Sequence, residues 1–317
     1  MKKHLFLFMF SVIVCLLFIQ SCEKSEKTKY VEKKLTVVTT LYPLYDFAKN
    51  IGQEKADVSL LLPPGVEPHS FEPRPADMLR IQGSDIFIFT GAFMEPWVDK
   101  VIKGIDAKRF AVVDTSKGIT VLQGTTAHDE HGHGHKDAPG SPDPHIWLDL
   151  SNAMKMVDTI AAEYIVRDPR NKDYYVKNAH EYKKKLEVLD RKYKNELSLC
   201  RNRVIIHAGH FAFEYLAKRY GLQYISAYKG FTPDAEPSPR GLAELVLMVK
   251  KLGARFIYYE ELITPNIAET ISKETGCGLL MIHAAHNVTK EEIDTGVNFI
   301  SLMEKNLENL KVGLQCP

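Results

Sequence analysis

The chain has 317 residues, of which 45% are hydrophobic and 26% are charged, and its formal net charge is +1. This composition is typical of a soluble globular protein, and the length allows two domains. The balanced charge excludes the strongly basic class of nucleic-acid-binding proteins, so no nucleic acid is expected as a partner.

The N-terminus has the pattern of a lipoprotein signal. Two lysines precede a long apolar run, which predicts a signal peptide over residues 1–21. The run is followed by Ser21-Cys22, which resembles a bacterial lipobox and indicates lipid attachment at Cys22; ordinary cleavage beside an incidental cysteine is the alternative. Residues 22–34 are charged and predict a flexible tether. The protein is therefore expected outside the cytoplasm, in the periplasm or on the cell surface, anchored to the bacterial membrane by lipid.

Strands and helices alternate through residues 35–170, which predicts an α/β lobe with a parallel sheet. The predicted strands are Leu35–Thr40, Val58–Leu62, Asp85–Thr90 and Ala111–Asp114, and a further strand begins at His145. The predicted helices are Pro43–Ile51, Pro75–Ile81, Glu95–Lys103 and Ser151–Val166.

A His-rich stretch over residues 126–138 interrupts this lobe. His128, His131, His133 and His135 lie among acidic residues and glycines with no apolar period, which predicts a mobile loop. Neutral imidazole is a common metal ligand, so we expect the loop to gather metal ions. A solvated linker is the alternative.

Residues 171–199 predict one long linking helix. Apolar side chains recur there every three or four residues, at Tyr175, Ala179, Tyr182, Leu186, Leu189 and Tyr193. They form one narrow seam on a charged helix that would be about 40 Å long, more than one small domain needs. We expect a rigid helix lying across two lobes of a monomer; a coiled-coil dimer is the alternative.

Residues 200–317 return to alternating strands and helices and predict a second lobe. The predicted strands are Val204–His207, Gln223–Ala227, Arg255–Tyr259 and Leu279–Ile282. The predicted helices are Phe211–Tyr220, Pro239–Lys251, Pro265–Thr275 and a last one from the capping box at Thr289 to about Leu314. The fold class is therefore α/β, with two lobes, each a small and mainly parallel sheet flanked by helices, joined by one long rigid helix.

The cysteines predict one disulfide and no cysteine zinc site. The chain has no CxxC motif, and an oxidising compartment permits one bridge among Cys200, Cys277 and Cys316. We expect Cys277 to pair with Cys316, because a last helix packed back on its own lobe would bring these two positions together.

Histidines recur near strand ends in both halves of the chain. They are His69 after the second strand, His145 at a strand start, His210 just after a strand, and His283 and His286 after the last strand. Ligands of open parallel sheets collect at the carboxyl ends of strands, so this recurrence predicts one metal site shared by both halves. His207 is expected to end its strand or to support the site from behind, and His180 is expected in solvent.

Four stretches of the chain form a specific set of motifs: PPGVEPHSFEPRPADM, DPHIWLDL, GHFAFEYLAKRYGL and DAEPSPRGLAEL. They resemble those of the metal-binding solute-binding proteins of ABC importers, the ZnuA/TroA-like (cluster A-I) family, and the resemblance covers residues 35–314. It implies two α/β lobes, a rigid linking helix, a metal buried in the cleft between the lobes, and an ABC permease as partner. The first three ligands of the family fall on His69, His145 and His210.

The fourth ligand position departs from the family pattern. Family members often have Asp or Glu there, whereas this chain reads IHAAHNVT. One register places His283 on the family Asp, and another places His286 on the family Glu. We take His286 as the fourth ligand, because His283 is expected to end its strand; the choice between these two residues, or water, stays open.

The ligand types predict the metal and the function. Imidazole suits Zn²⁺, whereas manganese sites are richer in carboxylate oxygen. We expect a high-affinity zinc-binding protein that delivers Zn²⁺ to an ABC permease without a catalytic step. The alternatives are binding of manganese or another divalent metal, a zinc-dependent hydrolase, and an adhesin. A hydrolase needs an open coordination position and a general base, and the nearest match to HExxH, at residues 180–184, lacks the second histidine.

Overall fold

The computed structural model describes residues 33–104, 110–123, 141–226, 228, 230–231, 239–262 and 265–317. The predicted signal peptide, Cys22, almost all of the tether and the His-rich loop lie outside these residues. The segment Lys34–Pro317 forms one compact unit. Among the described helices, none combines the length and the apolar content that crossing a bilayer requires.

The first lobe is built on a parallel sheet with the strand order β2-β1-β3-β4. Its strands are β1 Leu35–Thr39, β2 Ala56–Leu60, β3 Ile86–Phe89 and β4 Ala111–Asp114. Its helices are α1 Tyr42–Gly52, α2 Pro75–Gln82, α3 Val98–Gly104 and α4 Leu150–Arg167. All four residues of β3 are buried, which explains why this strand reads as an unbroken apolar run.

The second lobe repeats the same order, with the sheet β6-β5-β7-β8. Its strands are β5 Val204–His207, β6 Gln223–Ser226, β7 Phe256–Tyr259 and β8 Gly278–Met281. Its helices are α6 Glu214–Arg219, α7 Pro239–Leu252, α8 Asn266–Thr275, α9 Lys290–Asp294 and α10 Phe299–Gly313. All the strand pairings in both lobes are parallel. The α/β fold with two lobes is confirmed.

The long helix α5 (Lys172–Ser198) lies across both lobes, and all six residues of its predicted seam are buried. Tyr182 Oη donates to Asp46 Oδ2 of α1 at 2.6 Å. Tyr193 Oη donates to the Met303 carbonyl of α10 at 2.5 Å. The seam therefore packs within the chain itself, and a dimer is not needed to explain its apolar character.

The predicted strand at His145 is wrong. The segment Ile146–Leu148 forms a single 3₁₀ turn instead, and Asp149 caps α4 by accepting from the Ser151 amide at 2.7 Å. The His145 amide donates to Asp143 Oδ1 at 3.0 Å. The carboxylates of Asp143 and Asp149 thus accept hydrogen bonds from backbone amides that, in a strand, would bond to a neighbouring strand.

The predicted last helix is also wrong, because it is two helices. The chain breaks after α9 at Gly296, whose φ is 77°. A second capping box, between Asn298 and Ser301, then starts α10. A glycine followed by an asparagine cap is a sequence signal for the end of one helix and the start of the next, so this break could have been predicted.

The predicted disulfide is wrong in one of its partners. Cys200 bonds to Cys316, and Cys277 is a buried free thiol. The chain after α5 runs beside the C-terminus, with the Asn202 amide donating to the Leu314 carbonyl at 3.0 Å. This pairing holds the end of the linking helix against the end of α10.

Candidate metal centre

Four histidines from both lobes come together in one cluster. His69 lies in the loop after β2, His145 precedes the 3₁₀ turn that leads into α4, His210 follows β5, and His286 follows β8. Each offers one ring nitrogen, and these four nitrogens lie within 4.8 Å of one another. His145 is fully buried, and the side chains of His210 and His286 are almost fully buried.

The four rings are arranged like ligands around one tetrahedral ion. The six distances between their ring centroids run from 4.9 to 5.4 Å, so each ring is nearly equidistant from the other three. The Nε2 atoms of His145 and His210 are 3.2 Å apart. Two imidazoles bound to one zinc ion at the usual bond length and tetrahedral angle place their nitrogens about 3.3 Å apart.

Carboxylates fix two of these rings from behind. Asp143 Oδ1 accepts from the His145 amide at 3.0 Å and lies 2.8 Å from His145 Nδ1. Glu260 does the same for His210, accepting from its amide at 3.0 Å and pairing with its Nδ1. A carboxylate at Nδ1 holds the ring proton there and leaves the Nε2 lone pair available for a metal.

Gly209 is required by the close approach of Glu260 to His210. A Cβ at this position would lie 2.4 Å from Glu260 Oε1 and 2.6 Å from His207 Cε1. Any side chain would therefore push the carboxylate away from the histidine that it supports.

The site disfavours protons on two of its rings and places carboxylates with lowered pKa values beside the other two. Burial, together with the neighbouring imidazoles, holds the pKa of His69 and of His145 well below 6.5. Burial also opposes charge on His210, but Glu260 outweighs it and raises the pKa of this imidazole. Burial would raise the pKa of Glu261, yet His283 and His286 lower it to about 2. Burial raises the pKa of Asp143, whereas the lowered pKa values of Glu260 and Glu261 keep these two carboxylates ionised, which favours a bound cation.

The Nε2 atoms of His69 and His286 are buried in the cluster, and no group of the described residues hydrogen-bonds to either atom. A buried polar nitrogen without a partner is costly, and a metal at the centre of the cluster would satisfy both atoms.

His286 belongs to a segment of the second lobe that is held by the first lobe. Residues 282–288 are all buried. The Tyr42 amide donates to the His286 carbonyl at 3.1 Å, and Trp147 Nε1 donates to the Ala284 carbonyl at 2.7 Å. Asn287 Nδ2 donates to the carbonyls of Pro63 and Val66 at 2.7 and 2.9 Å. The segment that carries the fourth histidine is therefore fixed by elements that lie close to His69 and His145.

The other predicted histidines take supporting or remote places. His283 is outside the cluster, with Nδ1 3.3 Å from Glu261 Oε1 and Nε2 3.5 Å from Glu292 Oε1. His207 ends β5, and its Nδ1 lies 3.2 Å from the His210 carbonyl oxygen. Burial lowers the pKa of His207 to about 4, so its ring is neutral. His180 is exposed, as expected.

The carboxylates that support the site were not among the residues predicted from the sequence. Glu260 and Glu261 follow the end of β7, so the same strand-end rule that selected the histidines could have found them. Asp143 lies two residues before His145 and could have been recognised as its partner only from the folded turn.

Comparison with known proteins shows which family the chain belongs to. The family described as "Zinc-uptake complex component A periplasmic" (ZnuA) matches residues 37–313. The high-affinity zinc uptake system protein ZnuA of Bacillus subtilis is 38% identical over 310 residues, covering 96% of this chain and 97% of that protein.

Two further matches come from Streptococcus pneumoniae. The zinc-binding lipoprotein AdcA is 37% identical over 94% of this chain, which spans 59% of the length of AdcA. The crystal structure of the Zn(II)-bound ZnuA-like domain of AdcA has a TM-score of 0.76 at 36% identity, covering 89% of this chain and 99% of that domain.

Proposed function

This chain belongs to the ZnuA family of zinc-uptake components, and from this membership we propose that it captures Zn²⁺ and delivers it to the permease of an ABC importer. The ligands that we propose are His69, His145, His210 and His286. The observation that carries the proposal is the near-regular tetrahedron of four imidazoles, whose nitrogens lie within 4.8 Å of one another.

Zinc fits this donor set better than manganese does. All four proposed donors are imidazole nitrogens, whereas manganese sites are richer in carboxylate oxygen. Glu260 and Asp143 bond to the Nδ1 side of the rings, so their oxygens support the ligands and do not replace them. Copper and nickel also bind imidazole, so selection among these metals also depends on supply.

A role in binding fits the site better than catalysis does. A zinc hydrolase keeps one coordination position open for water, whereas four protein ligands close a tetrahedral shell. We therefore propose no catalytic residue and treat zinc as cargo. The hydrolase and adhesin alternatives are not favoured.

The proposal is tested by titrating metal-free protein with zinc in a calorimeter. We expect one tight equivalent that depends on the four histidines. A protein that binds no zinc tightly, or that binds manganese more tightly than zinc, would contradict the proposal.

Acid is expected to release the zinc by protonating ligand rings, with His210 among them. The pKa values of His69 and His145 lie well below 6.5, so these rings bind metal at neutral pH without losing a proton. The pKa of His210 is raised, so a proton begins to compete with zinc as the pH falls through that raised value. Because two of the four rings are already neutral, we expect at most about two protons to be released per zinc bound near pH 7. Calorimetry in buffers of different ionisation enthalpy measures this number, and three or four protons would show that the apo rings are charged.

The His-rich loop is proposed to bind further zinc weakly. A glycine-rich loop loses conformational entropy when it orders around a metal, whereas the buried site is already formed. Deleting Thr126–Asp137 should remove the weak equivalents from a zinc titration and leave the tight one unchanged. Loss of the tight equivalent would mean that the loop supplies a primary ligand.

The mature protein is proposed to lie outside the cytoplasm, anchored by lipid on Cys22. The bond between Cys200 and Cys316 supports an oxidising compartment. The Cys22→Ala protein should move from the membrane fraction to the soluble extracytoplasmic fraction, because it lacks the thiol that would carry the lipid. Membrane-bound Cys22→Ala protein would refute lipid anchoring.

We also propose the division into a lobe at 35–170, a linking helix at 171–199 and a lobe at 200–317, in a monomer. Each lobe has its own four-stranded sheet, and the seam of α5 is buried within the chain. Light scattering that gives the mass of a dimer would contradict the monomer.

A further inference from the structure

The segment between His283 and His286 contains a left-handed turn. Ala285 has φ 59° and is fully buried. For a residue with a Cβ this conformation is unfavourable, so it persists only where the surroundings impose it. His286 follows directly, so the turn sets the direction in which its side chain leaves the backbone.

His283 makes a hydrogen bond that holds this turn. The Ala285 amide donates to His283 Nδ1 at 2.8 Å, which closes a short ring between a side chain and the amide two residues later. Glu261 holds the neighbouring amide, since Ala284 donates to its Oε2 at 2.8 Å. Both amides of the turn are thus fixed by side chains.

The His283 ring is itself held in place. The side chain of Asn306 in α10 hydrogen-bonds to both backbone groups of His283. It accepts from the His283 amide and donates to the His283 carbonyl, each at 2.7 Å. Because Nδ1 accepts a hydrogen bond, the ring proton belongs on Nε2, which faces Glu292 Oε1 at 3.5 Å. The other oxygen of Glu292 accepts from the Thr289 amide in the capping box of α9 at 2.7 Å.

The orientation of the His286 ring depends more on its backbone than do the orientations of the His145 and His210 rings, which are paired with carboxylates. His145 Nδ1 lies 2.8 Å from its carboxylate, whereas His286 Nδ1 lies 3.5 Å from Glu261 Oε1. A contact of that length orients a ring only weakly. The backbone that leads into His286 must therefore supply much of the orientation.

We propose that His283 is a positioning residue for the metal centre, whose Nδ1 holds the Ala285 amide and thereby aims His286 at the shared centre of the four rings. This inference rests on the proposed zinc site. It gives His283 a role other than ligation, although the sequence alone left it as a candidate ligand.

Two substitutions at this position separate the hydrogen bond from the bulk of the ring. Asparagine can accept a hydrogen bond from the amide two residues later, as it does in Asx-turns, so His283→Asn keeps the acceptor. Leucine fills space without an acceptor, so His283→Leu removes it. His180→Leu, at an exposed position of α5, is the matched control for replacing a histidine by leucine.

The experiment measures zinc affinity by chelator competition and the visible spectrum of the Co²⁺-substituted protein. Loss of a supporting group around a metal typically costs about 10–100-fold in affinity, and we expect a loss in this range for His283→Leu, with an altered Co²⁺ spectrum. His283→Asn should recover most of the affinity and the native spectrum. His180→Leu should match the wild type.

Two results would overturn the inference. One is a His283→Leu protein that binds zinc as tightly as the wild type, and the other is a His283→Asn protein as impaired as His283→Leu. Should His283→Leu fail to fold, His283→Ala takes its place, since it also removes the acceptor. A wild-type protein that binds no zinc tightly would refute the proposed function instead, so the two failures are distinguishable.

Discussion

Replacing His145 by alanine is expected to abolish tight zinc binding. His145 is fully buried, and its ring centroid lies 4.9 to 5.3 Å from those of the other three rings. The substitution removes one of the four proposed donors and leaves the buried side chain of Asp143 without its imidazole. Removing a supporting group typically costs about 10–100-fold in metal affinity, so losing a ligand should cost more than about 100-fold.

A graded pair of variants makes this test specific. Asp143→Asn keeps the ligand but weakens its support, so its affinity should fall between those of the wild type and of His145→Ala. His180→Ala replaces an exposed histidine and should leave zinc affinity unchanged. Chelator competition on the purified proteins gives all three values. Unchanged affinity in His145→Ala would remove this residue from the proposed ligand set.

Breaking the disulfide is expected to have the largest effect on stability. Cys200 and Cys316 are separated by 116 residues, so the bond closes a long loop and restricts the unfolded chain strongly. We expect Cys316→Ser to lower the free energy of unfolding by about 2–5 kcal/mol. Urea denaturation of the metal-free protein measures the change.

The free thiol provides the matched control for this prediction. Cys277 is buried in the same lobe but closes no loop, so Cys277→Ser should cost clearly less than Cys316→Ser. Peptide mapping under non-reducing conditions should recover Cys200 linked to Cys316. Equal stability of Cys316→Ser and wild type would show that the bond does not stabilise the fold.

Local patterns were enough to predict the fold. Unbroken apolar runs such as Ile86–Phe89 identify strands buried on both faces, because a strand covered by helices on both sides has no polar face. The seam of α5 identifies a helix packed along one stripe, because side chains three and four residues apart share a face. Predictions were wrong where side-chain hydrogen bonds, and not the apolar pattern, set the local structure, as in the 3₁₀ turn after His145.

The histidines of the candidate site that follow strands could be predicted from the sequence, because the strands themselves could. His210 and His286 follow strands of the second sheet, and parallel strands of one sheet end at the same edge, so their loops meet. His69 follows a strand of the first sheet, so its approach to them depends on the packing of the two sheets in the folded chain. The carboxylates that support these histidines were harder to predict from the sequence. Glu261 and His286, for example, lie in two separate loops that meet only in the folded protein.

The amino-acid sequence by itself determined the two α/β lobes, the linking helix and the residue types proposed to bind zinc, since each is encoded in neighbouring residues. Only the tertiary structure decided which cysteines pair and whether His283 or His286 joins the cluster. Cys200 precedes β5 and Cys277 precedes β8, and parallel strands all begin at one edge of the sheet, so both lie on the side to which α10 returns. The left-handed turn at Ala285 points His286 into the cluster and leaves His283 behind it. Both choices depend on contacts between segments distant in the chain, and no local pattern records such contacts.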